Sequence, residues 1–261
     1  MADEPRPSDP TRTERLALCG RQIDIAVWGS DTPTIVMLHE GLGSIRGWRA
    51  VPSVVHTRTG ESVVAYNRPG HGESEPTPTG PWPADWLHSE AAFLPSLLAA
   101  IEADAPLLVG HSDGGTAALL AQADGHLTPR GIVTLAAHSW VEQLCFDSIV
   151  TMREQRDDIV AGLARSHADP AAVFDAWSGV WVSKQFRSWD IRPSLHRVEA
   201  PTLIAQGAED EYASQEHAHA TARAVGANAE SVLVDGVGHM MHHHDPEAIV
   251  ELIVGFAAHT R

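Results

Sequence analysis

The sequence predicts an α/β protein whose mostly parallel sheet is covered by helices on both faces. Three observations lead there. From residue 34 onward short uninterrupted apolar runs recur, helical stretches lie between several of them, and one strand-to-helix junction carries Gly110-His111-Ser112-Asp113-Gly114. Strands of a sheet with one wet face alternate polar and apolar residues. Strands covered on both sides do not, because neither row of side chains meets water.

Residues 1–13 (MADEPRPSDPTRT) combine proline and charge without periodicity and are expected to form a flexible lead-in. Leu16–Cys19 and Ile23–Val27 flank Gly20-Arg21, and in the second segment Ile23, Ile25 and Val27 alternate with smaller or polar residues. That pattern predicts an antiparallel hairpin. The buried strands are expected at Thr34–Leu38, Ser62–Tyr66, Pro106–Val109, Ile132–Leu135, Pro201–Ala205 and Ser231–Val234. A helix is predicted from Trp86 to about Ala103, capped by Asp85, with Pro95 expected to kink it or split it in two. Thr116–Ala123 reads as helix, and Asp245-Pro246-Glu247 supplies a cap, a first-turn proline and an acid for a C-terminal helix.

Between the strand ending near Ala136 and the one starting at Pro201 lie roughly 60 residues, long for a plain connection. Residues 140–198 hold Trp140, Trp177, Trp181 and Trp189, four of the eight tryptophans. Two crossover helices would account for the helical character alone. A helical cap over a pocket accounts for the length and the aromatic load together. The expected organisation is a lead-in (1–13), a core domain (14–139 and 199–261) and a cap (140–198).

Charge excludes several classes. Against 34 Asp+Glu stand 18 Lys+Arg, a net charge of −16, which repels phosphate backbones and argues against a nucleic-acid partner. No apolar run approaches the ~18 residues of a membrane span, and the opening MADEPRP lacks the basic and apolar regions of a secretory signal. Cys19 and Cys145 cannot build a disulfide framework, and no C-x-x-C pair is present. The expectation is a soluble cytoplasmic protein without membrane association; a homodimer is left open.

The G-x-S-x-G at residues 110–114 follows an apolar strand and precedes a helix, the context in which the pattern marks a nucleophile elbow. Glycines two residues either side let the chain close tightly enough to project a serine hydroxyl from the sheet edge; a glycine-rich turn with an incidental serine is the bland alternative. Serine is a weak nucleophile without a base. His239, after Gly238 and the last strand, is the candidate base. His242, His243 and His244 suit exposed or supporting positions, and the cluster lacks partners for a metal site, so no metal and no cofactor are expected. Asp210, in the acidic loop after the strand Thr202–Ala205, is the candidate orienting acid in the order Ser…Asp…His, with Glu209 and Asp235 as alternatives. The backbone N–H of Asp113 is one candidate oxyanion donor, and Gly41, in the loop after Thr34–Leu38, the other.

Five segments fall in one order along the chain: His39-Glu-Gly-Leu-Gly-Ser44, Tyr66-Asn-Arg-Pro-Gly-His-Gly-Glu-Ser74, the Ser112 elbow, Gly207-x-x-Asp210 and Gly238-His239. In these the chain resembles the α/β-hydrolase superfamily from residue 14 on, most nearly its capped esterase and lactonase members. The resemblance implies an eight-stranded, mostly parallel sheet flanked by helices, with a helical cap inserted after strand 6, and a serine hydrolase that cleaves a small or medium carboxylic ester or lactone. Two departures stand out: Glu40 replaces the glycine common after His39, and Asp113 puts an acid directly after the nucleophile. Glu40 and Trp140 are the candidate substrate contacts. Carbon–carbon bond hydrolysis by the same triad is the main alternative, and it would call on Arg46, Arg68, Arg153 or Arg187 to hold a substrate carboxylate. A perhydrolase side reaction of the same site and a non-catalytic ligand-binding protein on this fold are the others.

Overall fold

In the computed structural model, which describes residues 9–75 and 79–260, eight strands form one sheet in the order β1-β2-β4-β3-β5-β6-β7-β8. The strands are β1 (Arg12–Leu18), β2 (Arg21–Trp28), β3 (Ile35–Leu38), β4 (Val63–Tyr66), β5 (Leu107–His111), β6 (Gly131–Leu135), β7 (Thr202–Gly207) and β8 (Ala229–Val234). Only β2 runs against the rest: it pairs antiparallel with both β1 and β4, while β4, β3 and β5 through β8 pair in parallel. The helices are α1 (Val51–Thr59), α2 (Trp86–Ala100), α3 (Asp113–Ala123), α4 (Gln143–Glu154), α5 (Arg156–Leu163), α6 (Pro170–Trp181), α7 (Arg192–Leu195), α8 (Gln215–Val225), α9 (Met241–His244) and α10 (Pro246–His259).

The continuous apolar runs have the cause the sequence implied. In β3, Val36 and Leu38 join a core that includes residues of α2, α3 and α8, while Ile35 and Met37 join a second core with Val51 and Val55 of α1 and Ile249 and Ile253 of α10. Both rows are fully buried, so alternation has nothing to report.

Three local expectations are corrected. The lead-in ends earlier than residue 13, because β1 begins at Arg12 and Thr13 pairs with Ala26; residues 1–8 of that segment lie outside the described residues. Pro95 does not split α2. Buried Phe93, Leu94, Leu97 and Leu98 pin the helix on both sides of it, and that packing offsets the ~3 kcal/mol a mid-helix proline costs. Asp85 sits at the N-terminus of α2 but makes no capping hydrogen bond, whereas Asp245 accepts from the N–H of Ala248 at 3.0 Å and caps α10 as its sequence predicts.

Between β6 and β7 the chain is mainly helical, α4 through α7. The last of these, α7, packs on α3 and α8. Among the described residues no helix is long and apolar enough to cross a membrane.

Close backbone approaches fix the sheet's carboxyl edge. A Cβ on Gly207, at the end of β7, would lie 2.1 Å from the carbonyl oxygen of Val237 and 2.7 Å from that of Gly238. Backbone cannot swing aside as a side chain can. Gly207→Ala is therefore expected to lower the unfolding free energy in urea titrations by about 2 kcal/mol or more. Gly162→Ala, in open space on α5, should be neutral or gain up to ~1 kcal/mol. Equal effects from the two would contradict this packing.

Candidate active site

Ser112 joins β5 to α3 with φ 50° and ψ −119°, a conformation costing on the order of 1–3 kcal/mol that persists only where surroundings impose it. They do so through glycines. A Cβ on Gly110 would meet the Gly114 carbonyl at 2.4 Å, and one on Gly114 would meet the Leu38 carbonyl at 2.2 Å. The Ser112 hydroxyl donates to His239 Nε2 at 3.0 Å. His239 Nδ1–H donates to Asp210 Oδ1 at 3.0 Å and lies 3.1 Å from Oδ2. Ser112, Asp210 and His239 are all buried, while Glu209 and Asp235, the alternative acids, are exposed.

The histidine is held by more than its acid. His239 N–H donates to Glu211 Oε2 at 3.0 Å, His111 Nε2–H donates to the His239 carbonyl at 2.9 Å, and Gly238 N–H donates to His244 Nδ1 at 2.9 Å. Tyr212 N–H donates to Asp210 Oδ1 at 2.9 Å. His244 takes a supporting position, one of the two that the sequence allows it, whereas the sequence does not point to the contacts of Glu211, His111 and Tyr212. Glu211 could have been suspected from its place beside Asp210, but nothing local marks which carboxylate faces which backbone group. His242 and His243, whose rings lie 4.6 Å apart, both reach the Gly47 carbonyl, at 3.1 and 2.8 Å.

Burial alone would lower the His239 imidazole, but the charge and hydrogen bond of Asp210 outweigh it and hold His239 above its usual value. Asp210 moves the other way: burial would raise it, and His239, His138 and the Tyr212 N–H hold it down. The pair is thus poised as carboxylate and readily protonated imidazole.

The two unexpected acids have partners. Burial would raise Glu40, yet its contact with His111 Nδ1 at 3.4 Å and the nearby His39 and His242 hold it well below the usual carboxylate range. Its carboxylate folds back so that a Cβ on Gly43 would sit 2.4 Å away. Asp113 Oδ2 accepts from Trp177 Nε1–H of α6 at 2.8 Å. Burial pushes Asp113 up to about 6, against the pull of Arg68 and Trp177. The Asp113 backbone N–H belongs to the first turn of α3, where amides lack intrahelical acceptors.

A half-enclosed cavity of about 270 Å³ opens over the serine. Gly41, Ser112 and His239 line its floor with Glu40, and its walls include Cys145, Ile149 and Met152 of α4, Leu163 of α5, and Trp177 and Trp181 of α6. Trp140 lies elsewhere. It stacks on His217, with ring centroids 3.6 Å apart, under the Arg192 guanidinium, and is no part of the cavity lining. Trp189 instead stacks on Phe186. A more open groove of about 580 Å³ beside β1 and β2 contains none of the Ser112–His239–Asp210 group.

Behind the elbow lies a buried polar cluster. The Arg68 guanidinium, fully inaccessible, donates to the Glu40 carbonyl at 2.9 Å and sits 3.8 Å from Glu90. Burial pushes Glu90 up to about 7 despite Arg68. Between the ordinary value of 4.5 and about 7 the folded chain keeps a proton that the unfolded chain has released. The stability this contributes is full below 4.5 and is lost as pH rises through 7. Glu90→Gln should therefore gain stability relative to wild type between pH 5 and pH 8, by roughly 2–3 kcal/mol in denaturant titrations. A difference that does not change with pH would contradict a protonated Glu90.

Comparison with known proteins gives a consistent picture. The family model described as "Alpha/beta hydrolase family" matches residues 35–252. No curated protein matches. Among solved structures, an enol-lactonase from Burkholderia xenovorans LB400 superposes with a TM-score of 0.74 at 18% identity, over 94% of this chain and 100% of that one. A bacterial membrane phospholipase A gives 0.79 at 19% identity over 96% and 86%. Est816, an N-acyl homoserine lactone degrading enzyme, gives 0.71 at 23% identity over 93% and 100%. At these identities the likeness is one of fold.

Proposed function

The chain belongs to the alpha/beta hydrolase family, and from that premise we propose that it is a serine hydrolase that cleaves a small or medium carboxylic ester or lactone through an acyl-enzyme. The single observation that carries this reading is the unbroken hydrogen-bond chain Ser112–His239–Asp210 at the floor of a cavity. The solved structures of an enol-lactonase and of an N-acyl homoserine lactone degrading enzyme on the same fold lend it support.

Ser112 Oγ attacks the acyl carbonyl carbon while its proton passes to His239 Nε2. Asp210 keeps Nδ1 protonated, so that Nε2 is the free acceptor, and stabilises the imidazolium that forms. The backbone N–H groups of Gly41 and Asp113 hold the tetrahedral oxyanion, one from the loop after β3 and one from the first turn of α3. Collapse breaks the carbon–oxygen bond to the leaving group, which takes the proton from His239. Water then attacks the acyl-enzyme, gives its proton to Nε2, and the acid leaves as Ser112 recovers that proton. The helices α4 to α6 act as a cap: they supply the apolar wall against which the acyl group packs and limit water around the oxyanion. No metal or organic cofactor enters this scheme.

The first test is labelling with a fluorophosphonate. Adduct formation at Ser112, located by mass spectrometry and absent from Ser112→Ala, is the expected outcome; a folded wild-type protein that takes up no label would overturn the proposal. A second expectation follows from the raised His239 imidazole. The base works only when neutral, so kcat/KM for an ester should fall with acidification, with a midpoint above the ordinary imidazole value of 6.5. Asp210→Asn, which removes the group that raises it, should move that midpoint down and cut kcat by roughly 10³ or more. An acidic limb that stays in place in Asp210→Asn would count against the assigned pairing.

A further inference from the structure

The charges around the cavity are one-sided. Glu40 lies along its floor and Glu211 at its exposed rim, and no lysine or arginine lines it among the described residues. None of the four arginines that the sequence offers as carboxylate anchors lines this cavity. Arg46 lines the separate groove beside β1 and β2. Arg68 is buried behind the elbow, between the Glu40 carbonyl and Glu90. Arg153 donates to Ser178 Oγ at 2.9 Å, and Arg187 binds the Gln143 side chain with its guanidinium 3.9 Å from the Phe146 ring centroid.

The remaining lining is largely apolar, with Ile149, Met152, Leu163, Trp177 and Trp181 bounding the same space as Ser112. The cavity volume is about 270 Å³. That suits an acyl group of medium length, and it lies just under the ~300 Å³ at which drug-sized sites begin.

We propose that this cavity selects uncharged acyl groups of medium length and rejects those ending in a carboxylate, with Glu211 as a specificity-determining residue at the rim. The inference rests on the reading of the cavity as the acyl site. It goes beyond that reading by setting aside the carboxylate-bearing substrates that carbon–carbon bond hydrolysis would present. An anionic chain end would give up hydration to enter a cavity that offers no lysine or arginine and carries the Glu211 carboxylate at its rim, so it would lose solvation and gain repulsion. The Glu211 carboxylate also accepts the His239 N–H, so glutamine, which keeps an acceptor oxygen, is the suitable replacement.

Binding to Ser112→Ala, in which nothing turns over, tests selectivity apart from catalysis. Methyl hexanoate, methyl adipamate and monomethyl adipate are titrated while tryptophan emission is followed, since Trp177 and Trp181 line the site. The adipamate has the shape of the adipate without its charge. Methyl hexanoate is expected to bind saturably, and monomethyl adipate at least about tenfold more weakly than the adipamate. In Ser112→Ala carrying Glu211→Gln, the gap between adipamate and adipate should narrow. Equal or tighter binding of the adipate would overturn the proposal, as would an absence of saturable change with methyl hexanoate. Because no step of the measurement needs an active serine, it decides selectivity even if fluorophosphonate fails to label the wild type.

Discussion

The structure turns on one strained residue. Ser112 holds a positive φ because the chain must leave β5 and enter α3 within a single residue. It can do so only where Gly110 and Gly114 let backbone touch backbone. That turn is wedged against the end of β3 through the Leu38 carbonyl, and the end of β7 is wedged in the same way against the Val237–Gly238 backbone through Gly207. Three parallel strands thus deliver three loops to one point: the Gly41 loop, the elbow, and the acidic loop that meets His239. A parallel sheet buried on both faces is rigid enough to hold such a convergence, and its carboxyl edge is where the loops can meet.

Electrostatics complete what the turn begins. Two acids beside the proposed oxyanion site would oppose it if they faced the carbonyl of a bound substrate. Each has a partner instead: Glu40 has His111 and the His39 and His242 rings nearby, and Asp113 has the indole N–H of Trp177. The Trp177 contact also ties α6, which supplies part of the cavity wall, directly to the residue after Ser112. Burying this many polar groups has a cost. Glu90 and Asp113 are both pushed up toward neutrality by burial although one fully buried guanidinium, Arg68, pulls both down.

Much of this was legible in the residues, for identifiable reasons. The six buried strands could be read because burial on both faces removes the alternation that exposure imposes. That Ser112, Asp210 and His239 come together could be read because each sits in a loop directly after an apolar strand. What could not be read depends on contacts far apart in sequence. Trp140 and Trp189 share a segment and a composition with Trp177 and Trp181, yet packing directs two of the four away from the cavity. Glu211 and His111 hold the backbone of a histidine 28 and 128 residues away. Pro95 was read from local cost alone, and tertiary packing outweighed it.

The proposed function requires a covalent acyl-enzyme at Ser112, and the most direct measurement is to catch it. Wild-type protein mixed with excess p-nitrophenyl butyrate in a stopped-flow instrument, and quenched in acid on the same time base, reports p-nitrophenol release and protein mass together. The expected result is a burst approaching one equivalent of p-nitrophenol per active site whenever deacylation is slower than acylation, matched by a butyryl adduct on the peptide that contains Ser112. Release of p-nitrophenol at a constant rate, with no butyryl group on that peptide even when turnover is slowed by lowering the pH, would contradict it.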